Sequence, residues 1–116
     1  MRCIIAGGRD FTDYDLLVRS MEDFINEHGL PSFIISGCAR GADTLGERFA
    51  KDVGIEVIRY PADWEKHGKR AGPLRNIEMA NNAESLVAFH DKNSKGTAHM
   101  ISEAQKRSLI VKVVNY

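Results

Sequence analysis

The sequence predicts an α/β fold: a Rossmann-like, doubly wound parallel sheet of about five strands, with helices on both faces. Three observations carry this expectation. Short apolar runs alternate with helix-period segments along the whole chain. The five runs are apolar enough to be buried on both faces, as parallel strands between helical layers are. Segments rich in glycine and arginine follow the strand ends, which is where ligands sit in such sheets. Crossovers are expected to be right-handed, and the expected strand order is 3-2-1-4-5. A chain of 116 residues, 43% of them hydrophobic, supplies one core, so a single domain over residues 1–116 is expected.

The elements follow in order. Cys3-Ile4-Ile5-Ala6 is the first strand and stops at Gly7-Gly8. From Asp13 the pattern turns helical, with Leu16, Leu17, Met21, Phe24 and Ile25 on one face. Thr12 or Asp13 caps this helix, and Gly29 with Pro31 ends it. Phe33 to Ser36 is the second strand. Thr44 to Val53 reads as a helix with Leu45, Phe49 and Val53 inward, and Ile55 to Arg59 as the third strand. Pro61 to Pro73 reads as a long connection, of a length that marks function or motion in a compact domain. A helix from about Leu74 to Asn82 leads to the fourth strand, Leu86 to Phe89. His90 to Lys95 is a polar turn, Gly96 to Lys106 the fourth helix, and Leu109 to Val114 the last strand.

Composition excludes several classes of protein. Lys plus Arg equals Asp plus Glu at 16 each, which argues against a non-specific nucleic-acid coat but leaves room for a local basic pocket. The apolar runs are too short to span a membrane. Charged and glycine residues follow Met1 to Ala6 at once, so no secretory signal is expected and a cytoplasmic location is. Cys3 and Cys38, at or beside strand ends, read as reduced core thiols. No ligand set for a metal stands out.

Four unusual segments fall just after strand ends. They are Gly7-Gly8-Arg9-Asp10-Phe11, Ser36-Gly37-Cys38-Ala39-Arg40-Gly41-Ala42-Asp43, Lys69-Arg70-Ala71-Gly72-Pro73-Leu74-Arg75-Asn76, and Lys95-Gly96-Thr97-Ala98-His99. The second has the strand, glycine turn and helix start that hold phosphate, with free N–H groups at the helix start and an arginine fork. Each segment alone has a plain structural reading. Gly7-Gly8 makes a tight turn, Asp43 complements a helix dipole, Thr97 caps a helix, and Trp64 covers core. Topology brings all four to one edge of the sheet, where the arginines would repel each other without an anion between them.

The GGRDF block, the GxARGAD block, the AGPxRNxxM block from Ala71 to Met79, and Lys95-Gly96-Thr97 together resemble the SLOG superfamily. Within it they are most similar to the YspA/cpYpsA-related branch, and more distantly to LOG-type phosphoribohydrolases and the DNA-processing protein DprA. The resemblance implies a Rossmann-like fold and a site for a nucleotide, or a nucleotide-derived molecule such as ADP-ribose, NAD or a cyclic derivative. It also implies small proteins, many of them in phages and mobile elements, that commonly form dimers. The helix around Met79 to Asn82 and the last helix are the expected contact faces.

On that reading Gly7, Gly8, Gly37, Gly41 and Gly96 allow backbone approach, while Arg9, Arg40, Arg70 and Arg75 meet phosphates. Asp43 holds a ribose hydroxyl or orients an arginine. Asn76 and Thr97 give hydrogen bonds, and Trp64 stacks on a base. Asp10, Ala39, Gly72, Pro73 and Lys95 complete the expected lining. The chain departs from the LOG pattern in two places. Asn76 replaces a lysine after Arg75, and Met100 stands where the catalytic glutamate belongs. Arg75, Asp43, Glu78 and His99 are the remaining candidates for catalysis, and Glu103 lies one helical turn beyond Met100. Binding, as sensor or sequestering domain, is therefore the leading expectation. Hydrolysis of an N-glycosidic or phosphate bond is the first alternative, and DprA-like single-stranded DNA binding the second.

Overall fold

Cys3-Ile4-Ile5-Ala6 becomes the central strand of the sheet because every one of its side chains is covered. The computed structural model describes all of residues 1–116. In chain order the elements are β1 (Arg2–Gly7), α1 (Tyr14–His28), β2 (Phe33–Ser36), α2 (Ala42–Val53) and β3 (Glu56–Arg59). There follow α3 (Trp64–His67), a 3-10 turn (Gly68–Arg70), α4 (Ala71–Asn81), β4 (Ser85–His90), α5 (Lys95–Lys106) and β5 (Ile110–Asn115). All five strands are parallel and ordered β3-β2-β1-β4-β5, as expected.

Alternation along β1 divides the core in two. Cys3 and Ile5 pack with Leu17, Met21 and Phe24 of α1 and Phe49 and Ala50 of α2. Ile4 and Ala6 pack on the other face with Met79 and Ala80 of α4 and Met100 and Ala104 of α5. Register pairs Ile5 with Val87 and Ile4 with both Ile35 and Leu86, so each face is a continuous apolar surface. No helix is long and apolar enough to cross a membrane.

The Pro61–Pro73 stretch is not a loop throughout. Asp63 Oδ1 accepts the Lys66 N–H at 3.1 Å and starts α3, a single turn that carries Trp64. Next, α4 begins at Ala71, three residues before the expected start, because Pro73 lies in its first turn, where a missing N–H costs nothing. Likewise α2 begins at Ala42 rather than Thr44, with Gly41 as N-cap. Val53, expected inward, is exposed: Gly54 turns left-handed and hands the core position to Ile55, whose N–H bonds Ala50 O at 2.8 Å. Cys3 is buried, but Cys38 is not a core thiol. Its left-handed backbone (φ 64°) turns it outward from the strand end. Of the stretch from Met79 to Asn82, Met79 and Ala80 lie in the core, while Asn81 and Asn82 are at the surface.

Candidate functional site

Beyond Gly7, β1 has β2 and α2 on one side and β4 and α5 on the other, and the chains leaving them diverge. The gap at this switch point is a cleft of about 890 Å³. Gly7 to Asp10 form one wall, with Ala39, Arg40 and Asp43 beside them. Gly72, Pro73, Arg75 and Asn76 of α4 face Lys95, Gly96, Thr97 and His99 of α5, and Trp64 stands at the side. Ala6, Met79 and Met100 supply apolar lining. A smaller compartment of about 380 Å³ adjoins and shares Arg9, Ala39, Arg40, Trp64 and Arg75 with it; Gly37 lines only this smaller one.

The turn before α2 is built differently from an open phosphate loop. Cys38 N–H donates to Ser36 Oγ (3.1 Å), Ala39 N–H to Asp43 Oδ2 (3.1 Å), and Ala42 N–H to Gly8 O (3.2 Å). Three of the expected anion donors are thus already used inside the chain. Two glycines have packing reasons. Gly41 has φ 78° and would place a Cβ 2.3 Å from Gly8 O; a Cβ on Gly37 would fall 2.7 Å from Arg75 Nη1 and 2.9 Å from Asp43 Oδ2. Positive charge in the cleft therefore comes mainly from side chains.

Arg75 is held by two donations, Nη1 to Gly37 O and Nε to Asn76 Oδ1 at 3.0 Å. Its burial disfavours the charged guanidinium, and the Asp43 charge offsets part of that. Asp43 is buried, and that burial pushes its carboxyl up to about 6 against the lowering effects of the Ala39 N–H and Arg75. The cations differ in company. Arg2, Arg48, Arg59, Lys106 and Arg107 sit 2.8 to 3.8 Å from carboxylates elsewhere in the fold. Arg9, Arg40, Arg75 and Lys95 line the cleft and make no salt bridge, while the carboxylates nearby accept from uncharged donors. Asp10 Oδ1 accepts from Tyr116 Oη at 2.7 Å, and Asp91 Oδ1 takes the N–H groups of Asn93 and Ser94, both at 2.8 Å.

A family model described as the YspA, cpYpsA-related SLOG family matches residues 1–67, from β1 through α3. The chain belongs to this SLOG family. It is also 36% identical over 121 residues to the Gene 61 protein of Mycobacterium phage D29, covering 99% of this chain and 95% of that one. No solved structure matches it. The matched region of this SLOG chain contains Gly7 to Asp10 and Gly37 to Asp43; the Arg75, Asn76, Lys95 and His99 wall lies outside it.

Most of the residues picked out in the sequence line the cleft, but not all. Arg70 is exposed and lines neither compartment, and Gly41 packs under Gly8 and Arg9 instead of facing in. Glu78 is exposed on α4 away from the cleft, and Glu103 is bound to Lys106 and Arg107. Among the carboxylates considered for catalysis, only Asp43 reaches the cleft. Thr97 does not cap α5: Ser94 does, its Oγ accepting the Thr97 N–H at 3.3 Å. Asp91 and Ser94 were not legible as site residues, because a short polar turn carries no periodic signal; Asx turn chemistry at Asp91 is the sign that would have found them. Tyr116, which pins Asp10, lies more than a hundred residues from it in sequence.

Proposed function

We propose that the cleft binds a nucleotide or a nucleotide-derived small molecule of the ADP-ribose, NAD or cyclic-nucleotide class, as a sensor or sequestering domain. One observation carries this reading: four cationic side chains, Arg9, Arg40, Arg75 and Lys95, converge on a single cleft, and none of them makes a salt bridge. Phosphates take Arg9, Arg40, Arg75 and Lys95. Trp64 and the apolar surface of Met79 and Met100 take the base. Membership of the SLOG family supports the same ligand class. Native mass spectrometry of the purified protein with ADP-ribose, NAD, AMP, GMP and cyclic derivatives tests the proposal. A stoichiometric adduct with at least one is expected, and no adduct with any of them would overturn it.

Hydrolysis is the second reading, favoured by Asp43, a buried carboxyl raised to about 6 inside the cleft. Met100 stands against it, since a thioether moves no proton. Chromatography of a bound nucleotide after long incubation separates the two. Base release abolished by Asp43→Asn supports hydrolysis, and an intact nucleotide supports binding alone.

A further inference from the structure

Asn76 is buried between Arg75 and His99, and its amide can point only one way. Arg75 Nε donates to Oδ1 at 3.0 Å, so the oxygen faces the guanidinium. The amide nitrogen therefore faces α5, 3.3 Å from Gly96 O and 3.2 Å from His99 Nδ1. An amide nitrogen only donates, and it has two hydrogens for these two acceptors. His99 Nδ1 must then accept, which leaves the proton of the neutral ring on Nε2. No acceptor within the chain takes that Nε2 proton, and His99 lines the cleft.

We infer that Asn76 is a positioning residue that fixes His99 in its Nε2–H form, making His99 an uncharged, directional donor to an acceptor atom of the ligand. The inference rests on the ligand-binding reading of the cleft. It gives the departure from the LOG pattern a physical role. A lysine in place of Asn76 has no oxygen for Arg75 Nε, and an ammonium would stand beside two cationic walls. The same amide joins the arginine that meets an anion to the histidine that meets a neutral acceptor. The ligand matched to this pair carries both groups: a phosphate, and within its reach a phosphate oxygen, ring nitrogen or carbonyl that accepts from His99.

Long-range ¹H–¹⁵N spectra of the ¹⁵N-labelled protein in mildly alkaline buffer test the tautomer directly, with His99 assigned by its loss in His99→Gln. Protonated Nε2 and unprotonated Nδ1 are expected. In Asn76→Asp the proton is expected on Nδ1, since a carboxylate accepts and cannot donate. An Nδ1–H ring in the wild type, or an Nε2–H ring retained in Asn76→Asp, would overturn the inference. A second arm does not depend on Asn76→Asp folding: AMP and ribose 5-phosphate are titrated into wild type, His99→Gln and His99→Leu. Glutamine keeps an N–H near the Nε2 position and is expected to stay within about threefold of wild type. Leucine is expected to lose roughly tenfold. Loss against both probes assigns the acceptor to the ribose phosphate that they share, and loss against AMP alone assigns it to the base. Equal affinities of His99→Leu and wild type would overturn the donor role. If the wild type does not bind AMP, the same variants are titrated with whichever nucleotide it binds; binding of none would count against the function proposed above, while the spectra still decide the tautomer.

Discussion

Asp43 shows how far one residue's role depends on its surroundings. In sequence it stands near a helix start, where a carboxylate complements the dipole. In the fold it is in the first turn of α2, buried, with Ala39 N–H on one oxygen and Arg75, Glu47 and Arg9 near enough to act on its charge. Its folded value of about 6 lies above the unfolded one, so the folded state holds this proton longer. The stabilisation is complete below the unfolded value and is lost as pH rises through about 6. At 1.36 kcal/mol per unit the whole effect is about 3 kcal/mol. Urea unfolding at acid and neutral pH should show Asp43→Asn gaining on the wild type, by up to that amount, as pH rises; a pH-independent difference would contradict it. Cys38 is the opposite case. An apolar run beside it suggests core, but a left-handed turn is invisible in a composition pattern, and it faces out.

Among the elements, strands and long helices were legible because their periods are imposed by burial on both sides of the sheet. Boundaries set by a single turn were not. Pro73 reads as the end of the connection before α4 and is in fact part of that helix's first turn; Thr97 reads as a cap, and Ser94 three residues earlier does that work. Two predictions belong here. Ser94→Ala removes the acceptor for Thr97 N–H and should cost about 1 kcal/mol in urea unfolding. Gly41→Ala meets both an unfavourable backbone (φ 78°, ψ −125°) and a Cβ 2.3 Å from Gly8 O, and should cost more, at least about 2 kcal/mol. If Gly41→Ala were neutral, the close packing of the α2 turn on the Gly8–Arg9 backbone would be wrong.

At the scale of the molecule, five short apolar strands alternating with helices, taken in the Rossmann-like order 3-2-1-4-5 that the sheet has, place the switch point at the edge where the glycine and arginine segments meet. The company each cation keeps was not legible there. Zero net charge says nothing of whether Arg40 is paired or where it points, and only the folded arrangement gathers four cations without salt bridges at one cleft. Two cores share one central strand, so the chain should unfold as one unit; calorimetric and van't Hoff enthalpies should agree, and a resolved second transition would contradict a single domain. Arg40 is exposed and makes no ion pair, so its removal is expected to leave the fold intact while taking from the cleft the phosphate contact proposed for it. Isothermal titration of ADP-ribose into wild type and Arg40→Ala tests that role most directly. With ADP-ribose, or with whichever of the other nucleotides binds if ADP-ribose does not, saturable binding by the wild type, weakened roughly 10- to 100-fold in Arg40→Ala, is the expected result; binding of equal strength in both, or no binding of any of them by the wild type, would contradict it.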